Sequence, residues 1–144
     1  MIAFDSNYRP ALWESVEVAQ SVMSSMWEIA DIALPSIDDE MTLFAELDED
    51  SVISRFASKT WTACAIKRGS NGPISPKLSA SEHPEFEPAN IVTDTTGAGD
   101  SFNGAYLAAF LQGHSEEQCL ISGHIMASKV VGVRGAIMAK NKQA

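Results

Sequence analysis

Short apolar segments with the length of buried strands alternate along this chain with segments that have the period of a helix. Residues 2–5, 32–34 and 61–67 have the composition of strands. Between the first two, apolar side chains recur every three or four residues from 13 to 30, which predicts an amphipathic helix. This order predicts an α/β fold with a largely parallel sheet, because parallel neighbours need a crossover between them.

The remaining segments continue this pattern. Residues 36–47 and 51–58 predict two short helices, and the glycine-rich residues 69–73 predict a turn, with the rest of a hairpin inside 74–86. Residues 91–93 lead into a loop, after which a helix over 101–112 ends at Gly113. Ser115 and Gln118 have the spacing of a capping box, so we expect a last helix from there to about Val131.

Length and composition exclude several classes of protein. The chain has 144 residues, 45% of them hydrophobic, which is enough for a core without a disulfide framework. Its longest apolar stretch, 105–111, is far shorter than the roughly 20 residues that span a bilayer. Residues 1–7 carry no secretory signal. We therefore expect a soluble, cytoplasmic protein with no membrane partner, in which Cys64 and Cys119 are buried, reduced thiols.

The charge is unevenly distributed. The formal net charge is −9, and residues 1–50 hold twelve acids and one base, Arg9. An acidic chain without a basic stripe is not expected to bind nucleic acid, since phosphate neutralisation supplies most of that affinity. A small anion held by backbone groups is still compatible with this composition.

The segment with the clearest chemical content is the junction between a loop and the helix predicted after it. Gly97, Ala98 and Gly99 let the backbone approach a ligand closely, and the first free N–H groups of a helix favour an anion. Asp100 follows at the same helix start, where it could accept the proton of an attacking hydroxyl. The alternative is a flexible loop in which Asp100 is only a favourable first-turn acid.

Two common nucleotide motifs are absent. The sequence has no GxxxxGK[ST], so it is not a P-loop enzyme. Phe102 stands where a dinucleotide fingerprint needs its third glycine. We expect the aromatic residues of this helix to be core: Phe102, Tyr106 and Phe110.

Residues 94–105, DTTGAGDSFNGA, closely resemble the C-terminal signature of the ribokinase-like (PfkB) carbohydrate kinases. Shorter segments extend the resemblance over nearly the whole chain: 4–10 (FDSNYRP), 34–40 (LPSIDDE), 67–72 (KRGSNG) and 132–136 (GVRGA). The set is most similar to 2-keto-3-deoxygluconate kinases, with fructokinase-type enzymes second. The resemblance implies a three-layer α/β/α fold, of which residues 1–144 form a single partial domain that lacks the N-terminal strands and the β lid.

The resemblance also implies roles for the glycine-rich junction. Asp100 would be the catalytic base, with Gly97, Ala98 and Gly99 forming the anion hole. Asp94 and Thr96 match positions that help to bind a monovalent cation such as K⁺ in many relatives.

Further matching positions would bind ATP. The segment that lines its phosphates and ribose corresponds to Lys67, Gly69, Ser70 and Gly72, although a plain hairpin turn would also explain these glycines. Asn7 would lie near the phosphates and His124 at the adenine edge. A histidine on a helix is also commonly a packed or surface group.

Arg9 is the candidate for substrate specificity, because a guanidinium pairs in bidentate fashion with the carboxylate of a sugar acid. Its alternative role is a salt bridge to one of the nearby acids.

Relatives hold Mg²⁺ through an Asn-x-x-Glu motif, and the corresponding positions here are Pro35 and Asp38. Asp38 could help to hold a hydrated Mg²⁺, or Ser36 and Asp39 could simply cap a helix.

The implied reaction moves the γ-phosphoryl group of MgATP to 2-keto-3-deoxygluconate and gives its 6-phosphate. A fructokinase-type or ribokinase-type substrate is the alternative within the family. A second hypothesis is a catalytically silent fragment that binds nucleotide or associates with itself. The partners expected are therefore ATP, a small sugar or sugar acid, and either further copies of the chain or the missing N-terminal half.

Overall fold

The computed structural model describes residues 1–137 of the chain, and its central feature is a three-stranded parallel sheet. The strands β1 (Ala3–Phe4), β2 (Ile32–Ala33) and β3 (Ala63–Cys64) lie side by side in that order. Ile32 of β2 is in register with Ala3 on one side and Ala63 on the other. The predicted α/β class with a parallel sheet is confirmed.

Helices form the crossovers between these strands. The helix α1 (Val16–Ile29) joins β1 to β2 and begins three residues later than predicted, because Pro10–Leu12 forms a 3-10 turn and Ser15 caps the helix. Between β2 and β3 come α2 (Ile37–Phe44) and α3 (Glu49–Ala57). Asp48 caps α3 by accepting a hydrogen bond from the Ser51 backbone N–H at 2.8 Å.

The core beneath the sheet is built around Trp27 of α1. Its ring makes edge contacts with Phe4, Phe56 and Trp61, at centroid distances of 4.6, 5.0 and 6.1 Å. The Trp61 Nε1–H donates to the carbonyl of Phe56 at 2.9 Å. A neighbouring cluster contains Tyr8, Ala19, Met23 and Leu43, so the loop after β1 is anchored in the core.

The chain divides into two compact units. The first contains residues 1–69 and 73–83, and the second contains residues 70–72 and the chain from Pro84 onward. In the second unit, α4 (Ala98–Leu111) packs on α5 (Glu116–Val130). Contact is close at Gly123, where a Cβ would lie 2.6 Å from the Phe102 ring.

Several expectations are confirmed in these units. Ser115 and Gln118 form the predicted capping box at the start of α5. Both cysteines are buried, and neither forms a disulfide within residues 1–137. Phe102 and Tyr106 are buried as expected, whereas Phe110 is only half-buried.

No helix within residues 1–137 is long and apolar enough to cross a membrane.

Two expectations are wrong. The hairpin predicted within 74–86 is limited to one antiparallel bridge, between Ile66 and Ile74. The chain then leaves the sheet, because His83 accepts the Ser75 backbone N–H at 3.1 Å and Ala80–Glu82 forms a 3-10 turn. The helix after the glycine-rich junction begins at Ala98 rather than at 101.

Candidate active site

The predicted site residues are divided between the two units. The first unit holds Asn7, Arg9, Asp38, Lys67 and Gly69. The second unit holds the others, which are Ser70, Gly72, Asp94, Thr96, Gly97, Ala98, Gly99, Asp100 and His124. The glycine-rich junction and His124 thus belong to one unit, and Arg9 and Lys67 belong to the other.

In the first unit, charged side chains follow the carboxyl ends of the parallel strands. Asp5 comes directly after β1 and Lys67 shortly after β3, and the two form an ion pair whose side chains are 17% and 10% exposed. Backbone hydrogen bonds fix Lys67 beside the start of α2: its N–H donates to Pro35 at 2.8 Å and its carbonyl accepts from Ile37 at 2.9 Å. Lys67 therefore has a defined place at this edge of the sheet.

Arg9 lies in the same unit with its side chain 58% exposed. One guanidinium nitrogen, Nη1, donates to the Tyr8 carbonyl at 3.0 Å and lies 3.7 Å from Oδ1 of Asp39. The ion pair that sequence reasoning kept as the alternative role for Arg9 is thus present. The exposed guanidinium still has donors to offer a ligand, since it carries five N–H groups.

Asp39 is the acid that α2 contributes to this cluster, while the neighbouring Asp38 is exposed. Burial raises the pKa of the Asp39 carboxyl, an effect that Arg9 partly offsets and Asp5 increases. Ser36 stands at the N-cap of α2 but its side chain makes no capping hydrogen bond, so the capping alternative is not observed. Within residues 1–137 no cluster of three or more His, Cys, Asp or Glu is arranged to hold a metal ion.

Sequence reasoning gave Asp39 only a helix-capping role and did not single out Glu40. A signal for Glu40 was available: Ile37, Glu40 and Leu43 recur every three residues, and all three are buried. An acid on the apolar stripe of a helix must find a partner inside the protein.

Asn7 has the left-handed backbone conformation, with φ of 38°. Its N–H donates to Oδ1 of Asp5 at 3.1 Å, and its side chain is exposed. Its neighbours Ser6 and Tyr8 are buried. Asn7 is thus exposed to solvent between two buried neighbours.

The turn at residues 69–72 needs its glycines for conformational reasons. Gly69 and Gly72 have φ of +54° and +75°, and Gly69–Asn71 is a 3-10 turn. Within the second unit, a Cβ on Gly72 would lie 2.6 Å from the Cβ of Phe86. The roles of Lys67, Gly69, Ser70 and Gly72 in binding ATP stay predictions.

The second unit contains the junction at the start of α4. Gly97 is the N-cap, with φ of +76°, and no side chain caps the helix. The Ala98 N–H donates to the Thr95 carbonyl at 3.2 Å, whereas the N–H groups of Gly97, Gly99 and Asp100 have no backbone acceptor within residues 1–137. These three N–H groups and the exposed Asp100 carboxylate lie together at the start of a 14-residue helix.

Asp94 holds the loop before this helix in place. Oδ1 accepts from the Thr96 N–H and Oδ2 from the Gly135 N–H, both at 2.9 Å. Hydrogen bonds from Thr96 and then from Gly135 lower the pKa of the Asp94 carboxyl, so it is charged at neutral pH. A Cβ on Gly97 would lie 2.6 Å from that of Ala136, which explains a glycine here by space as well as by backbone conformation.

His124 lines a cavity of about 600 Å³ between α5 and residues 84–91. Its ring packs against Phe86 at a centroid distance of 4.7 Å, and Nε2 lies 2.8 Å from the Glu87 carbonyl. His124 therefore holds the wall of the cavity through Phe86 and Glu87. The cavity is mostly apolar, with Ile91, Ile121 and Ile125 among its lining residues.

Comparison with known proteins identifies the family to which the chain belongs. Residues 1–143 match the model of the pfkB family carbohydrate kinases, and the chain belongs to that family. It is 39% identical over 140 residues to the 2-dehydro-3-deoxygluconokinase of Dickeya dadantii, covering 95% of this chain and 45% of that protein. It is 34% identical over 122 residues to fructokinase-1 of Oryza sativa, covering 82% of this chain and 36% of that protein.

Solved structures agree with the ribokinase-like fold. An Escherichia coli protein assigned as ribokinase II, in complex with ATP and Mg²⁺, is 28% identical and superposes with a TM-score of 0.76. The match covers 94% of this chain and 44% of that one. A fructokinase of Vibrio cholerae gives a TM-score of 0.80 at 18% identity, which supports the fold alone. The chain thus spans about 45% of the length of the 2-dehydro-3-deoxygluconokinase it matches.

The Gly97→Ala substitution should destabilise the protein. A left-handed conformation costs a residue with a Cβ about 1–2 kcal/mol, and the new methyl group would also meet Ala136. We expect urea unfolding to show a loss of about 1–3 kcal/mol.

Gly104→Ala is the matched control on the same helix. Nothing lies within 4 Å of the position that a Cβ would take there, so the change should add roughly 0.5–1 kcal/mol of stability. Equal stability of the two variants would contradict the packing described at Gly97.

Proposed function

We propose that this chain carries the nucleotide-facing part of an ATP-dependent sugar-acid kinase. The reaction would transfer the γ-phosphoryl group of MgATP to the primary hydroxyl of 2-keto-3-deoxygluconate and give the 6-phosphate. The observation that carries the proposal is the start of α4, where the Asp100 carboxylate shares one helical turn with N–H groups that have no backbone acceptor within residues 1–137. Residues 1–144 would then be one partial ribokinase-like domain.

The backbone at the start of α4 supports binding of a phosphoryl group. The N–H groups of Gly97, Gly99 and Asp100 have no backbone acceptor in the described part of the chain. Together with the positive end of the helix dipole, they favour an anion at this position. Gly97 and Gly99 have no side chains to keep the anion away. In the proposed reaction, Gly97, Ala98 and Gly99 stabilise the charge on the transferred phosphoryl group. Ala98 would first have to release its hydrogen bond to Thr95.

Asp100 is proposed as the general base. The hydroxyl oxygen of the sugar acid forms a bond to the γ-phosphorus while the bond to the bridging oxygen of ADP breaks. The hydroxyl proton passes to Asp100. A carboxylate repels an anionic ligand, so a carboxylate beside an anion site needs an explanation. A role as general base explains why Asp100 lies there.

The remaining ATP contacts are proposed from the resemblance. The cavity beside His124 is of a size and apolar character that suit a purine base. Lys67, Gly69, Ser70, Gly72 and Asn7 are proposed to face the phosphates and ribose.

The carboxylate and hydroxyl oxygens of this chain suit Mg²⁺ and K⁺, the ions that the family implies. Mg²⁺ retains several waters and uses phosphate oxygens, so few protein ligands are needed. When bound, it neutralises charge on the phosphates. Asp38 is the proposed Mg²⁺ contact. Asp94 and Thr96 are proposed for K⁺, since two backbone N–H groups leave the Asp94 carboxylate with further lone pairs.

Arg9 is proposed to bind the carboxylate of the sugar acid. Its side chain is 58% exposed, and its Nη1 contacts the Tyr8 carbonyl and lies near Asp39. The cytoplasm is the setting we infer, because ATP is the phosphoryl donor there.

Exposed apolar side chains on α1 favour a second candidate function, which is nucleotide binding or self-association without turnover. These side chains include Val16, Val22 and Ile29, and they would suit contact with another copy or with a separate chain.

Asp100→Asn should abolish sugar-dependent turnover while ATP binding persists. Loss of the base is expected to lower kcat by about 10²–10⁴-fold. The measurement is coupled ADP release with 2-keto-3-deoxygluconate, fructose and ribose, alongside calorimetric titration with ATP.

Glu117→Gln is the control, because Glu117 is an exposed first-turn acid of α5. It should keep full activity. Turnover by Asp100→Asn at the unsubstituted rate would exclude the proposed base. ATP binding without turnover in the unsubstituted protein would favour the second candidate.

Arg9→Met should weaken binding of the sugar acid selectively. A hydrogen bond to a charged group contributes about 1.5–3 kcal/mol, so we expect KM for 2-keto-3-deoxygluconate to rise roughly 10–100-fold. KM for ATP should change little. Lys77→Met removes an exposed positive charge elsewhere in the unit and should change neither value. An unchanged KM for the sugar acid in Arg9→Met would contradict the role.

A further inference from the structure

Asp5 is a charged residue to which the proposed reaction assigns no role. It comes directly after β1, at the carboxyl end of the parallel sheet. Its side chain is only 17% exposed. A carboxylate with so little access to water needs partners inside the protein, and the two oxygens of Asp5 have different partners.

One oxygen, Oδ2, pairs with the ammonium group of Lys67, whose side chain is 10% exposed. Lys67 follows β3, and β2 lies between β1 and β3. The ion pair therefore spans the end of the middle strand, a separation of two strand spacings, or roughly 10 Å, between the backbones. A lysine is rarely buried without a partner, so Asp5 determines where this ammonium group lies.

The backbone of Lys67 is fixed independently of this ion pair. Its N–H donates to the Pro35 carbonyl at 2.8 Å, and its carbonyl accepts from the Ile37 N–H at 2.9 Å. Ser36 and Lys67 accordingly form a parallel bridge. Loss of the Asp5 charge would thus release the ammonium group without moving the backbone that carries it.

The other oxygen of Asp5, Oδ1, accepts a hydrogen bond from the Asn7 N–H at 3.1 Å. Asn7 has φ of 38°, a left-handed conformation that costs free energy and persists only where the surroundings enforce it. An aspartate that accepts from the backbone two residues further on closes a turn of its own. The carboxylate that pairs with Lys67 therefore also stabilises the turn that exposes Asn7.

We infer that Asp5 is a positioning residue that fixes Asn7 and the Lys67 ammonium group relative to each other. One carboxylate joins the loop after β1 to the segment after β3, so a shift of either group would break a hydrogen bond to the shared carboxylate. The link to catalysis rests on the proposed function, in which both residues face the phosphates of ATP. On that basis, loss of the Asp5 charge should weaken binding of MgATP and spare the sugar acid.

The inference is tested with Asp5→Asn and Asp5→Ala in the full chain. The asparagine keeps an acceptor for the Asn7 N–H but loses the charge that holds Lys67, whereas the alanine loses both. Both variants should shift the Lys67 Nζ resonance in NMR spectra, and only Asp5→Ala should move the backbone shifts of Asn7 out of the left-handed range. In calorimetric titrations of Asp5→Asn, the Kd for MgATP should rise about tenfold, as expected when one charge-assisted hydrogen bond is misplaced. The Kd for 2-keto-3-deoxygluconate should stay unchanged.

Lys67→Met distinguishes positioning through the ammonium group from a general effect on stability. If Asp5 acts on ATP through Lys67, Asp5→Asn should not weaken MgATP binding further once Lys67 has been replaced. Additive losses of affinity in the double variant would overturn a route through Lys67.

Asp31→Asn is the matched control, because Asp31 lies at the amino end of the same sheet, directly before β2. Its Oδ2 accepts from the Ile2 N–H at 2.7 Å and lies 3.7 Å from the N-terminal ammonium group. The change removes a comparable charge at the opposite edge, so it should leave the Lys67 resonance and both Kd values as they are.

An unmoved Lys67 resonance in Asp5→Asn would overturn the inference, whatever the affinity. A moved resonance with equal losses for MgATP and the sugar acid would overturn the link to the phosphates. An unsubstituted chain that binds no MgATP would count against the proposed function, while the Lys67 and Asn7 resonances would still decide the role of Asp5.

Discussion

The first-turn N–H groups of a helix have no hydrogen-bond partners within that helix. In this chain, the helices at the proposed site differ from the other helices in how these groups are satisfied. Side chains of Ser15, Asp48 and Ser115 cap α1, α3 and α5. The helices α2 and α4 begin without a side-chain cap. The family resemblance connects residues at these two helix starts with metal and phosphate, and the start of α4 is where we propose that a phosphate meets backbone donors.

The surroundings of each uncapped start are fixed by buried or charge-assisted hydrogen bonds. Asp94 uses both carboxylate oxygens to join the loop before α4 to residues 96 and 135. Around α2, Asp39 lies beside Arg9 and Glu40 is fixed by Arg55. At the start of α4, the Asp94 carboxylate orders the backbone near the exposed Asp100. At the start of α2, the Asp39 carboxylate lies beside the exposed Arg9. This arrangement suits a pfkB family carbohydrate kinase, in which reacting groups have to be held in place.

Much of the fold could be predicted from local pattern. The alternation of strand and helix gave the parallel sheet, and the capping box gave the start of α5, because both depend on residues near each other in sequence. The wrong hairpin and the early start of α4 depend on contacts that sequence does not display, such as His83 with Ser75 and Gly97 with residue 136. Glu40 was missed because its partner Arg55 lies 15 positions further along the chain. The glycine-rich junction could be proposed from the sequence because its four residues are consecutive.

The central claim is that the start of α4 binds the phosphates of ATP, and amide chemical shifts test it most directly. Titration of the isotopically labelled protein with MgATP should shift the amides of Gly97, Gly99 and Asp100 together, as the donors acquire an acceptor. The amides at the start of α5, which Ser115 already caps, serve as the internal reference and should stay in place. Saturable binding of MgATP with no shift at the start of α4 would contradict the claim.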